Sequence, residues 1–145
     1  MPNNFDKIIS LAQQKNEVLS DIYELTQLHS GLITADDFEK LNASLEKRQQ
    51  LILQITDISK RINIIKNKYF KNEKKTRLDS LEQEALKILK NIRLADSKST
   101  SAIKSRMLKI KNNIKNGNMN KRGFVAYNLA NYGGQSLYFD KRDVE

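Results

Sequence analysis

The chain has 145 residues, 39% of them hydrophobic and 30% charged, which suits one domain with a modest core. It has no cysteine and one histidine, which excludes disulfide frameworks, thiolate chemistry, His-based triads and zinc sites built from several imidazoles. The formal charge of +9 is uneven: residues 1–59 carry five basic and nine acidic side chains, and residues 60–145 carry 21 and eight. Two explanations stand for that asymmetry. It marks a surface for nucleic acid or an acidic partner, or it follows from a coding bias that also explains 19 Lys, 15 Asn and 15 Ile.

No stretch approaches the ~20 apolar residues needed to span a bilayer. The first residues, Met1 to Ser10, lack the apolar run of a secretory signal, so a cytoplasmic protein without membrane insertion is expected.

After Pro2 there is no proline, and Gly31 is the only glycine before Gly117. Such a chain reads as helical over about 1–116, with a Gly- and aromatic-rich tail over 117–145. The first helix is expected over about 5–29. Ile8, Leu11, Val18, Ile22 and Leu25 follow three- and four-residue steps if Lys15 fills the slot between Leu11 and Val18; Leu19, Tyr23 and Leu28 widen the stripe. Ser30-Gly31 fits a helix end, His29 a solvated last-turn residue, and Thr34 an N-cap for the next helix, supported by Asp36, Asp37 and Glu39.

The second helix is expected over about 35–70. Phe38, Leu41, Leu45, Ile52 and Ile55 open its buried face, and Leu51, Ile55, Ile58, Ile62, Ile65 and Tyr69 continue it in alternating four- and three-residue steps. Lys71 to Lys75 then makes a turn, with an uninterrupted rod from 35 to 115 as the alternative. The third helix is expected over about 77–115, on Leu78, Leu81, Ala85, Ile88, Ile92 and Ala95 and then Ile103, Met107, Ile110 and Ile114. Asp96 to Ser101 interrupts that stripe with small polar groups, at Ser99 above all, and is the weakest expected layer.

The fold class is therefore all-α: an elongated antiparallel three-helix bundle or coiled-coil hairpin with a flexible C-terminal tail. A first helix shorter than the other two leaves a basic two-helix projection around residues 60–80 and a groove beside it.

The chemistry is as informative. No glycine-rich loop opens a helix, so no phosphate or dinucleotide cradle is expected. Asp36 with Asp37, and Glu82 with Glu84, suit helix ends and solvent faces better than a catalytic pair, which needs a cleft to separate its pKa values. No enzyme, cofactor or metal is expected.

The tail holds Phe124, Tyr127, Tyr132, Tyr138 and Phe139, half of the ten aromatic residues, among Gly117, Gly123, Gly133 and Gly134. Disordered linkers are poor in such rings. Two readings stand: the rings fold back onto the bundle, or they anchor a peptide that orders on a partner.

Residues 36–52, Asp-Asp-Phe-Glu-Lys-Leu-Asn-Ala-Ser-Leu-Glu-Lys-Arg-Gln-Gln-Leu-Ile, and 132–142, Tyr-Gly-Gly-Gln-Ser-Leu-Tyr-Phe-Asp-Lys-Arg, carry a likeness to a family. With the helical body around them they resemble the FlgN-type flagellar export chaperones, over essentially the full length. The net basic charge departs from the acidic balance usual there. The resemblance implies a cytosolic chaperone of late flagellar subunits, the hook-associated (hook–filament junction) proteins. It would shield an amphipathic terminal helix in a groove along its third helix and tail, then deliver the cargo to the export gate. It also implies partner contacts at Tyr132, Leu137, Tyr138 and Phe139, with Phe124 and Tyr127 beside them. A chaperone of the filament-cap protein is the near alternative. A basic helical nucleic-acid binder, using Lys60 to Arg77 and the run 104–122, is the distant one.

Overall fold

The computed structural model describes residues 3–70 and 76–115, and these form three α-helices: α1 Asn4–Thr34, α2 Phe38–Tyr69 and α3 Thr76–Lys115. No strand occurs among the described residues. Asn3 caps α1, its side-chain oxygen accepting from the Asp6 amide at 2.8 Å.

α1 does not stop at Gly31. Leu32 and Ile33 extend its buried side, and Ile33 is wholly inaccessible. Burying that side chain contributes ~1.5–3 kcal/mol, more than the ~1 kcal/mol that a helical glycine costs. Thr34 is accordingly no N-cap; its hydroxyl donates back to the Ser30 carbonyl at 2.9 Å. The reversal falls on Ala35, Asp36 and Asp37. Asp36 takes the left-handed conformation at φ 57°, which a short polar side chain tolerates. Asp37 caps α2, accepting from the Lys40 amide at 3.3 Å.

α1 runs antiparallel to α2 and parallel to α3, and it is the central helix. It packs closely on both neighbours, whereas no Cα of α2 comes within 8 Å of one in α3. Lys66 on α2 meets Glu82 on α3 at 3.0 Å, so the chain folds back between them, as a hairpin and not a rod. At 31 residues and 1.5 Å each α1 is about 47 Å long, nearly the match of α2. The expected bare projection at residues 60–80 is therefore absent. Phe5 meets Phe70 edge to face at 6.1 Å, and Ile8, Ile9 and Ala12 pack with Ile58, Ile62 and Leu78.

Three apolar clusters follow one another along the bundle. Ile8, Ile9, Ala12, Ile58, Ile62 and Leu78 fill one end. Leu19, Ile22, Ile52, Ile55, Ala85, Leu89 and Ile92 fill the middle. Ile33, Phe38, Leu41, Leu45, Ile103 and Ile110 fill the end at the α1–α2 turn.

Polar layers separate them. Between the first two, the Asn16 side-chain amide donates to the Leu81 carbonyl at 3.1 Å, with Ser59 buried nearby in sequence register. Between the second and third lie Thr26, His29, Arg48 and Ser99, all buried. Arg48 and Asp96 make two hydrogen bonds of 2.8 and 2.7 Å from α2 to α3, and His29 bonds Ser44 at 2.8 Å. His29 is thus not solvated. Its burial, and secondarily the Arg48 charge, lower its pKa from 6.5 to about 4.

These polar groups shift the seams. On α3 the positions 78, 82, 85, 89, 92, 96, 99, 103, 106 and 110 make a regular four–three alternation in which Glu82, Asp96, Ser99 and Arg106 stand in place of apolar residues, Ser99 buried and the other three half-buried. The expected positions Leu81, Ile88 and Ala95 are only half-buried, and Met107 is exposed. On α2 Arg48 and Ser59 complete the stripe Leu41, Leu45, Ile52, Ile55 and Ile62. On α1 the fully buried set is Ala12, Asn16, Leu19, Ile22, Thr26, His29 and Ile33, with Ile8 and Ile9 at its start. Of the expected α1 seam, Ile8 and Ile22 are buried, while Leu11, Lys15, Val18 and Leu25 are half-buried.

Candidate functional site

The half-buried stripe has a structural consequence. Leu11, Val18, Leu25 and Leu32 recur every seven residues on α1, one position before the buried Ala12, Leu19, Thr26 and Ile33. At that offset, about 100° around the helix, they sit at the edge of the packed face. Leu11 faces α2: with Ile64 and Ile65, and with Asp6, Lys7, Ser10 and Arg61, it lines a groove of about 500 Å³ between α1 and α2.

On the α2 wall the matching stripe is Leu51, Ile58 and Ile65, partly buried at its two ends. Ile64 stands beside it and is 66% exposed, the most exposed large apolar side chain among the described residues. Leu28, at 59%, lies on the outward side of α1. Around Leu11, Ile64 and Ile65 the α1–α2 face is therefore a shallow apolar trough between two antiparallel helices. An amphipathic helix laid into it and along the face would meet apolar side chains at seven-residue spacing on α1 from Leu11 to Leu32 and on α2 from Ile65 to Leu51, where Ser44 takes the next slot.

Two further grooves among the described residues are more polar. One, of about 280 Å³, opens between α2 and α3 over Ala12, Asn16, Ser59, Ile62 and Leu78, with Lys66 and Glu82 at its rim. The other, of about 330 Å³, lies between α1 and α3 beside Tyr23, Gln27, Asn91, Leu94 and Lys98. The outward side of α3 carries Lys87, Lys90, Leu94, Lys104, Leu108 and Lys111, all exposed, so it is basic with two isolated leucines. Among the described residues no group of three or more His, Cys, Asp or Glu is placed to hold a metal ion. No helix among them is long and apolar enough to cross a membrane.

The sequence-based candidates Phe124, Tyr127, Tyr132, Leu137, Tyr138 and Phe139 lie outside the described residues. The trough draws on different side chains. Leu11, Val18 and Leu25 stand out in the sequence but as core; Leu32 is lost by ending the helix too soon; Ile64 fits no inward stripe. The available signal was an excess: α1 has more apolar residues at seven-residue spacing than a single seam can bury.

No family model, no curated protein and no solved structure matches the chain.

Proposed function

We propose that this protein is a binding protein with no reaction of its own: a cytoplasmic export chaperone of the FlgN type that shields an amphipathic terminal helix of a late flagellar axial subunit. The hook-associated proteins are the expected cargo and the export gate the expected destination. One observation supports this above all, the apolar groove of Leu11, Ile64 and Ile65 between α1 and α2, with the half-buried Val18, Leu25 and Leu32 continuing the seven-residue stripe of Leu11 along α1. Subunits that polymerise through amphipathic helices need such a cover until they are exported, and helix-in-groove docking supplies it. The resemblance at 36–52 and 132–142 supplies the choice of cargo.

The basic outward side of α3 favours a second reading, a nucleic-acid binder. Leu94 and Leu108, 62% and 61% exposed, sit in the middle of that lysine row, where a phosphate backbone has no use for them. The chaperone reading is the better supported.

Co-purification from a flagellated host tests it. The chaperone reading requires an axial subunit in roughly equal amount, retained at high salt. Recovery of nucleic acid that leaves as salt rises would replace it with the second reading.

A further inference from the structure

α2 carries basic residues both within its inward stripe and on one flank of it. Within the stripe the charges are met from α3: Arg48 by Asp96 and Lys66 by Glu82. On the flank towards the trough, Lys40, Lys47, Arg61 and Lys68 recur every seven residues, with Gln54 in the remaining slot, and all five are exposed. Arg61 lines the trough itself. Two of the row have acidic neighbours, Lys40 with Asp37 at 3.7 Å and Arg61 with Asp57 at 3.2 Å, and ion pairs as open as these are readily exchanged for a partner's carboxylate. The α1 wall has no such row of one sign: the equivalent outward positions are Lys7, Gln14, Asp21 and Leu28, and Asp6 stands beside Lys7 at the groove.

We infer that the trough selects an amphipathic helix whose apolar stripe is bordered by Asp or Glu on the side lying against α2. This rests on the reading of the trough as a helix seat and adds the charge of its occupant. Residues at the borders of a helix–helix seam set partner choice through opposite charges, and like charges there repel. The row from Lys40 to Lys68 spans 28 residues, about 42 Å, the length of a four-heptad partner. Inside the bundle the same device already orders α3 against α2, where acidic residues of α3 meet basic residues of α2 at seam positions.

The test uses the full chain and two synthetic helices of about four heptads. Both carry the same Leu/Ile stripe; one has Glu at the bordering positions and the other has Lys. The Glu helix is expected to bind at least roughly tenfold more tightly at low salt, with the gap narrowing near 1 M salt. The triple variant Lys47→Glu, Arg61→Glu, Lys68→Glu is expected to reverse the preference. All three side chains are exposed, so the fold should persist, as circular dichroism would verify. Ile64→Asp is expected to weaken binding of both helices.

Equal affinity for the two helices, both lost in Ile64→Asp, would overturn the charge rule and leave the trough as a helix seat. Binding of neither helix would overturn both. A DNA duplex that displaces the Glu helix, and whose own binding the triple variant abolishes while Ile64→Asp spares it, would assign the row to nucleic acid. A dimer that Ile64→Asp dissolves would place a second copy in the trough. Either result overturns the inference.

Discussion

The Arg48 guanidinium and the Asp96 carboxylate face each other across the α2–α3 seam in a two-pronged bond of 2.8 and 2.7 Å, with side chains only 4% and 15% exposed. Their helices have no closer approach to rely on, since their backbones stay more than 8 Å apart at Cα. The pair therefore fixes the stagger of α3 against α2 and occupies a layer that apolar side chains would otherwise fill. Removing one partner leaves a nearly buried charge. Asp96→Ala should cost about 3–5 kcal/mol in urea unfolding, while Arg48→Met with Asp96→Leu should come out close to neutral. A double variant as weak as the single one would mean that the charge contact itself carries the stability.

His29 gives the bundle a pH dependence of known sign. Its pKa is about 4 when folded against 6.5 when unfolded. Its contribution is complete above pH 6.5 and falls away as pH drops towards 4, because the unfolded chain then takes up a proton that the folded one refuses. The loss approaches about 1.4 kcal/mol per pH unit, of the order of 3 kcal/mol in all. His29→Gln removes this titration, so its stability should fall less than that of the wild type between pH 7 and pH 4.5. An NMR titration placing the His29 ring near 6.5 in the folded protein would contradict the account.

Gly31 lies within α1, exposed, with nothing inside 4 Å of where a Cβ would stand. Gly31→Ala should stabilise the protein by about 0.5–1 kcal/mol in thermal or urea unfolding. Destabilisation would mean that the helix ends there after all.

Ile64→Asp should leave the melting temperature within about 1–2 °C of wild type, because the side chain is 66% exposed and surface substitutions are nearly neutral. Measured by calorimetry, the same variant should bind an amphipathic cargo helix at least tenfold more weakly. A large loss of stability would show Ile64 to be core.

The helices and the turn between the first two are legible because apolar spacing and the acidic cluster at 36–39 mark them, although Gly31, read as the end of α1, lies inside it. The order of the bundle is less so. Counting apolar residues alone places the α1 seam on Leu11, Val18 and Leu25 and the α3 seam on Leu81, Ile88 and Ala95. The true inward slots hold Asn16, Thr26, His29, Asp96 and Ser99, which look like solvent residues in the sequence; Asn16, His29 and Asp96 find their bonds only on a partner helix. Arg48 shows the same thing: its place in the stripe depends on Asp96, 48 residues away. The trough is the converse. Its residues look like core because they are apolar, and they become a surface because polar residues have taken the inner positions.

Methyl NMR of the full chain, with an acidic-bordered amphipathic helix added, tests the central claim most directly. The account predicts shifts concentrated on Leu11, Val18, Leu25, Leu32, Ile64 and Ile65. Shifts confined to Leu94 and Leu108 on the outward side of α3, with those six unmoved, would contradict it.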